Sequence, residues 1–198
     1  LSPYISPCAA VSPDDIARAL PGEMRHPYLY FTAETKSALL DRIRENSESS
    51  DLQRRYLAEA NRLVYTPVET TAPPQESHTG FTNEDARLRY LRSNMGNAHL
   101  LAFVYQMTGN TRYARKAFEF AEAVCDLPTW VDRRHQFPII YSRVWPRGVG
   151  DDQAAFGFDI ESADTARMLA AVYDWLYPAL SRRERDRIRG AQIGRAHV

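Results

Sequence analysis

The sequence is short of several things, and each shortage excludes a class of protein. Acidic and basic residues balance at 25 each, so no net field draws the chain towards nucleic acid or an anionic membrane. Neither is expected as a partner, and an anionic ligand would need a local basic patch. No apolar run approaches the roughly 18 residues that span a bilayer, and the N-terminus lacks the basic-then-apolar pattern of a secretion signal. The chain opens on Leu1 rather than Met, which leaves room for a lost leader. Only two cysteines occur, Cys8 and Cys125. They are isolated, and Cys125 falls on a predicted buried helix face, so two reduced thiols are expected rather than a disulfide. His26, His78, His99 and His135 stand singly, without the HxxxH or HExxH spacing of a zinc site. There is no glycine-rich phosphate loop and no Gly-x-Ser-x-Gly nucleophile elbow. No metal and no cofactor are expected.

What is present reads as helix. At 198 residues and 44% hydrophobic, the chain can bury a core. Lys36 and Lys116 are the two lysines against 23 arginines, a bias that reflects genome composition first, although arginine also favours two-pronged contacts with carboxylate or sulfate. Pro3, Pro7, Pro13, Pro21 and Pro27 make residues 1–31 an extended arm, with room for a short helix from Asp14 to Leu20. Thr32 then caps a helix through Leu39, Leu40 and Ile43. The run breaks over Asn46 to Ser50, and Ser50 caps a second helix carrying Leu52, Tyr56, Ala60 and Leu63. Beyond a Pro/Gly loop, Asn83 caps a long helix through Met95, Ala98 and Tyr105. Gly109 supplies a left-handed turn, and the returning helix carries Tyr113, Ala117, Ala121 and Val124. Two long helices joined so tightly pack antiparallel. Ser162 opens another helix, Pro178 ends it, and Ser181 with Glu184 forms a capping box for the next. Val104-Tyr105 and Val172-Tyr173, 68 residues apart, sit at matching places in the two hairpins. Hardly any segment alternates with period two, so the fold class is all-α, an array of antiparallel helix hairpins.

The connection from Asp126 to Glu161 is longer than plain loops, which rarely exceed about 12–15 residues. It is rich in aromatic residues and segregated in charge. Arg133, Arg134, Arg143 and Arg147 with His135 come first, and Asp151, Asp152, Asp159, Glu161 and Asp164 follow. Rings beside guanidinium groups suit an acidic sugar chain: the ring covers pyranose C–H groups and arginine pairs with carboxylate or sulfate. Trp130, His135, Tyr141, Arg143, Trp145 and Arg147 are therefore the candidate substrate-binding residues. The plainer reading is a loop pinned to the helices by aromatic packing, its arginines paired with those acids. Asp151-Asp152, or Asp159 with Glu161, would serve as the two carboxylates of an inverting glycosidase, or simply as charge complements to a helix N-terminus.

Three segments carry a resemblance. His26-Pro27-Tyr28-Leu29-Tyr30-Phe31, followed by Thr32-Ala33-Glu34, resembles the opening signature of heparinase II/III-like polysaccharide lyases. Ala102 to Ala114, reading AFVYQMTGNTRYA, is similar to their first long hairpin. Ala171 to Tyr177, reading AVYDWLY, with Leu180-Ser181-Arg182-Arg183-Glu184-Arg185, is similar to their next. The resemblance spans about residues 26–190. It implies part of an incomplete (α/α) toroid over residues 32–190, with a β-sandwich further along, and cleavage of uronic-acid polysaccharide, such as glycosaminoglycan or alginate, by β-elimination. It also implies a periplasmic or secreted protein. The catalytic residues, a Tyr and His acid–base pair in that family, are expected beyond the C-terminal end of the chain. None is assigned here, and the acidic polysaccharide is the expected partner.

The helical pattern after Ser181 stops at Gly190, and Ile193 to Val198 match one translated frame of a common sequencing-library adapter. Residues 191–198 are accordingly expected to be a non-native tail and the chain a fragment, inactive alone. The rival functions are an (α/α) toroid glycoside hydrolase and a helical-repeat binding module, against which the irregular helix lengths and the long aromatic loop count.

Overall fold

A computed structural model of the chain describes residues 12, 14, 15, 18, 25–73, 82–132 and 160–195. Among these residues it holds six long helices and no strand: α1 (Ala33–Glu45), α2 (Ser47–Val64), α3 (Thr82–Thr108), α4 (Thr111–Cys125), α5 (Ile160–Leu176) and α6 (Arg182–Arg195). A 3-10 turn, Tyr177–Ala179, joins the last two, with Pro178 in its first positions. The all-α expectation holds, and so does the antiparallel packing of paired helices. α3 is the central element, lying most extensively against α4 and next against α5.

Local chemistry explains most of the boundaries. Thr32 caps α1: its hydroxyl accepts from the Thr35 amide at 3.3 Å while its own amide donates to the Thr35 hydroxyl at 2.9 Å. Gly109 has φ 69°, the left-handed turn that lets α3 reverse into α4, and Asn110 caps α4 by accepting from the Arg112 amide. Ser181 and Glu184 form the reciprocal box at the head of α6, at 2.7 and 3.3 Å. Partial burial pushes the Glu184 carboxyl up, but its hydrogen bonds to Ser181 and the nearby Arg115 charge together hold it below its ordinary range.

Four boundaries differ from the sequence reading. α3 already includes Thr82, so Asn83, read as its cap, lies within the helix. Asn46 alone makes the break between α1 and α2, serving as the C-cap of one and the N-cap of the other, with its side chain accepting from Ser49 at 2.8 Å. Ser50 therefore sits inside the first turn of α2 instead of capping it. α5 starts at Ile160, which puts Ser162, itself buried, inside the first turn. α6 runs past Gly190 to Arg195, and Ala191 joins the core at 4% exposure. The short N-terminal helix appears at Asp14, Asp15 and Arg18, where the Ser12 hydroxyl accepts from the Asp15 amide.

The core is laid down by the α3–α4–α5 interface. Met95, Ala98, Leu101, Ala102 and Val104 of α3 meet Ala117, Ala121 and Val124 of α4 and Leu169, Val172 and Leu176 of α5, all at 2% exposure or less. The alanines let the axes come close, and each enclosed aliphatic side chain contributes roughly 1.5–3 kcal/mol. Cys125 is fully buried on the α4 face where it was expected. Both members of the matched Val-Tyr pairs behave alike, with Val104 and Val172 enclosed and Tyr105 and Tyr173 half-buried. No helix among the described residues is long and apolar enough to cross a membrane.

Candidate functional site

The first and last of the three motif segments meet in space. Asp174, on α5, is 2% exposed, and burying a carboxylate is expensive unless its oxygens are satisfied. The HPYLYF segment satisfies them. The backbone amide of Tyr28 donates to both oxygens at 2.9 and 2.8 Å, that of Leu29 donates at 2.8 Å, and His26 Nδ1 lies 2.5 Å away. The His26 ring stacks on Tyr177 at 3.9 Å and meets the edge of Tyr173. Trp175 closes the join, its indole N–H donating to the Leu29 carbonyl at 3.3 Å. A further link ties α1, α3 and α5: Lys36 donates to Gln106, and Gln106 donates to the Trp175 carbonyl. The His26–Pro27 peptide is cis.

Beside this knot lies a cleft of about 680 Å³, lined by Tyr30, Phe31, Leu39, Tyr56, Gly96, His99, Leu100, Phe103, Arg167 and Trp175. Its volume is that of a small-molecule site. The α3 contribution comes from 96, 99, 100 and 103, the i, i+3, i+4, i+7 positions of one helix face. The Trp175 ring is the hub, with His99, Phe103, Phe31 and Tyr30 at centroid distances of 4.9, 5.6, 5.8 and 6.0 Å. His99 is the interior polar group. Burial, reinforced by the positive charge of Arg167 and opposed by Asp164, holds its pKa below the ordinary 6.5, so the imidazole is neutral near pH 7 and offers one donor and one acceptor. At the rim, Arg167 donates to Asp164 through Nε and Nη2 at 3.1 and 2.7 Å, and to the Tyr30 hydroxyl at 3.3 Å. A second, more polar cleft of about 380 Å³ lies between α3 and the 66–73 segment, with Arg89, Tyr90 and Asn94 in its wall.

Of the substrate-binding residues expected from sequence, Trp130 is fully buried, its indole N–H donating to the Val124 carbonyl at 3.1 Å. Its surroundings are the core. Arg87, itself 2% exposed, donates to the carbonyls of Thr129 and Val131 and fixes the chain there. His135, Tyr141, Arg143, Trp145 and Arg147 lie outside the described residues, as do Asp151, Asp152 and Asp159. Glu161 is ion-paired with Arg92, whose Nε donates at 2.9 Å. Among the described residues no group of His, Cys, Asp and Glu is placed to hold a metal ion. The cleft residues themselves were not singled out by sequence, except as members of helix faces and motifs. The available signal was His99, an imidazole on an apolar helix face; nothing in the aromatic run around Tyr30 marks that residue out.

Comparison of the chain with protein-family models and with curated proteins finds no match in either.

Proposed function

We propose that this chain is the helical N-terminal part of a polysaccharide lyase that cleaves uronic-acid-containing polysaccharide by β-elimination, its hairpins forming part of an (α/α) toroid. The observation that carries the reading is the convergence on Asp174 of the HPYLYF and AVYDWLY segments, two of the three stretches that resemble the lyases. Residues so far apart in sequence that are tied by a buried carboxylate form a single built feature, and it stands next to an aromatic-lined cleft of about 680 Å³. In the reaction a base takes the proton α to the uronate carboxylate, the C4–O bond breaks, a C4=C5 double bond forms and the leaving oxygen is protonated. The acid and base belong to a part of the enzyme outside these helices. The present helices supply cleft wall, and Arg143 and Arg147 contribute carboxylate or sulfate contacts.

The test is expression of the gene's whole reading frame and assay on alginate, hyaluronan and heparan sulfate for the ultraviolet absorbance of an unsaturated uronate. Product with that chromophore is expected from at least one of them. Reducing ends released without it point instead to hydrolysis by two carboxylates, and no release at all leaves a binding module.

A further inference from the structure

Tyr30 is an anomaly that neither folding nor the Asp174 knot requires. Its side chain is large and largely apolar, yet it is 69% exposed. Its backbone has φ 68°, a conformation in which a bulky residue is costly. What the position achieves is placement: the ring stands at the mouth of the 680 Å³ cleft, 6.0 Å from Trp175, and its hydroxyl accepts from Arg167. Strain retained at the edge of a cavity points to a ligand.

The chemistry of the rim narrows the ligand. Arg167 is the cation of the lining, and Asp164 holds it through two N–H groups. Their charges cancel, so the rim offers an anion little net attraction. What the pair does offer is donors and acceptors side by side, which is what a hydroxyl needs, since it both donates and accepts. His99, neutral in the interior, has the same dual character. An aromatic wall with dual-character polar groups around it suits a ring that has a C–H face and a circumference of hydroxyls.

We propose that the cleft between the HPYLYF segment, α3 and α5 is a pyranose-binding subsite, in which the exposed Tyr30 ring covers the sugar face, the buried Trp175 ring backs it, and the Arg167–Asp164 pair and His99 bind the hydroxyls. This rests on the carbohydrate reading above and adds to it: the subsite reads ring shape and hydroxyls, and acidity is read elsewhere.

The experiment is titration of the 198-residue chain with cellotetraose and with an alginate tetrasaccharide, followed by tryptophan fluorescence and by calorimetry. Both are expected to saturate, with affinities within about threefold of each other and nearly insensitive to added salt. Tyr30→Gly suits the positive φ and removes only an exposed ring, so the variant stays folded, and binding of both sugars is expected to weaken about tenfold. Arg167→Gln, which gives up a surface ion pair of small energetic weight, is expected to weaken binding about fivefold. Saturation by the alginate probe alone, lost with salt, overturns the hydroxyl-reading subsite but keeps the acidic-polysaccharide reading. Failure of both sugars to bind, or unchanged affinity in Tyr30→Gly, also overturns the subsite, and the whole-enzyme lyase assay then decides the broader reading independently.

Discussion

Asp174 and Trp175 are neighbours on α5, but they belong to regions built on opposite plans. Around Asp174 both carboxylate oxygens are engaged, three close contacts come from backbone amides and one from His26, and the carboxylate is sealed from solvent. One residue on, the Trp175 ring, itself buried, backs a cavity at whose mouth the Tyr30 ring stays uncovered and into which a neutral imidazole projects from α3. The knot maximises satisfaction and the cleft withholds it. A helical scaffold makes a rigid site in this way: the satisfied knot fixes the HPYLYF segment, and so holds the exposed Tyr30 at the cleft mouth without its own packing having to do so.

The largest effect is expected from breaking the knot. Asp174→Ala leaves the amides of Tyr28 and Leu29 and the His26 ring without their buried acceptor, and a loss of about 3–5 kcal/mol is expected. Chemical denaturation checks it. A loss below about 1 kcal/mol would show that the segment is held by its rings and not by the carboxylate. Trp175→Phe is the sharper variant because it touches both regions. It removes the donor to the Leu29 carbonyl and part of the cleft wall, with about 1–2 kcal/mol expected. Its effect should add to that of a distant core variant but couple with Asp174→Asn in a double-mutant cycle.

The knot and the cleft were legible in the sequence to very different degrees, for a physical reason. Helix periodicity, Gly109, Thr32 and the Ser181–Glu184 box are local signals, with cause and effect within one or two turns, and the structure has them as read. Asn46 was misjudged because one residue can cap both neighbouring helices, and the serines that follow it suggested a longer break than exists. The motif segments drew attention to His26 and Asp174 as parts of separate stretches. That they touch is a tertiary fact: a carboxylate one position from a Trp on a helix gives no sign that its partners lie 146 and 145 residues away. Arginine and aromatic clustering in one loop directed attention to Trp130, whose ring is enclosed in the core, while the exposed ring of Tyr30 comes from a stretch that reads as a plain lead-in to α1.

At the exposed rim of the cleft smaller effects on stability are expected, since Tyr30 buries little of its surface. Tyr30→Gly relieves a positive φ but adds freedom to the unfolded chain, and these oppose each other, leaving a net change below about 1 kcal/mol. A loss as large as that of Trp175→Phe would mean that the exposed ring is part of the scaffold and would erase the contrast between the two regions.

The finest distinction is made by protons. Burial of His99 and the nearby Arg167 lower its pKa in the folded chain below the 6.5 of an exposed imidazole. As pH falls from above that value, the unfolded chain takes up the proton first, so the folded state binds fewer protons across the window between the two pKa values. Stability contributed by the neutral imidazole is therefore complete above about pH 6.5 and is lost as pH falls through the folded value. The informative quantity is the difference between wild type and His99→Gln, in which every contribution the two share cancels. The urea midpoint of the wild type is expected to fall more steeply than that of the variant between about pH 7 and about pH 5. Parallel curves would place the imidazole in an environment as wet as the unfolded chain's, and the cleft would then lack the dry interior that makes a neutral donor–acceptor useful to a sugar hydroxyl.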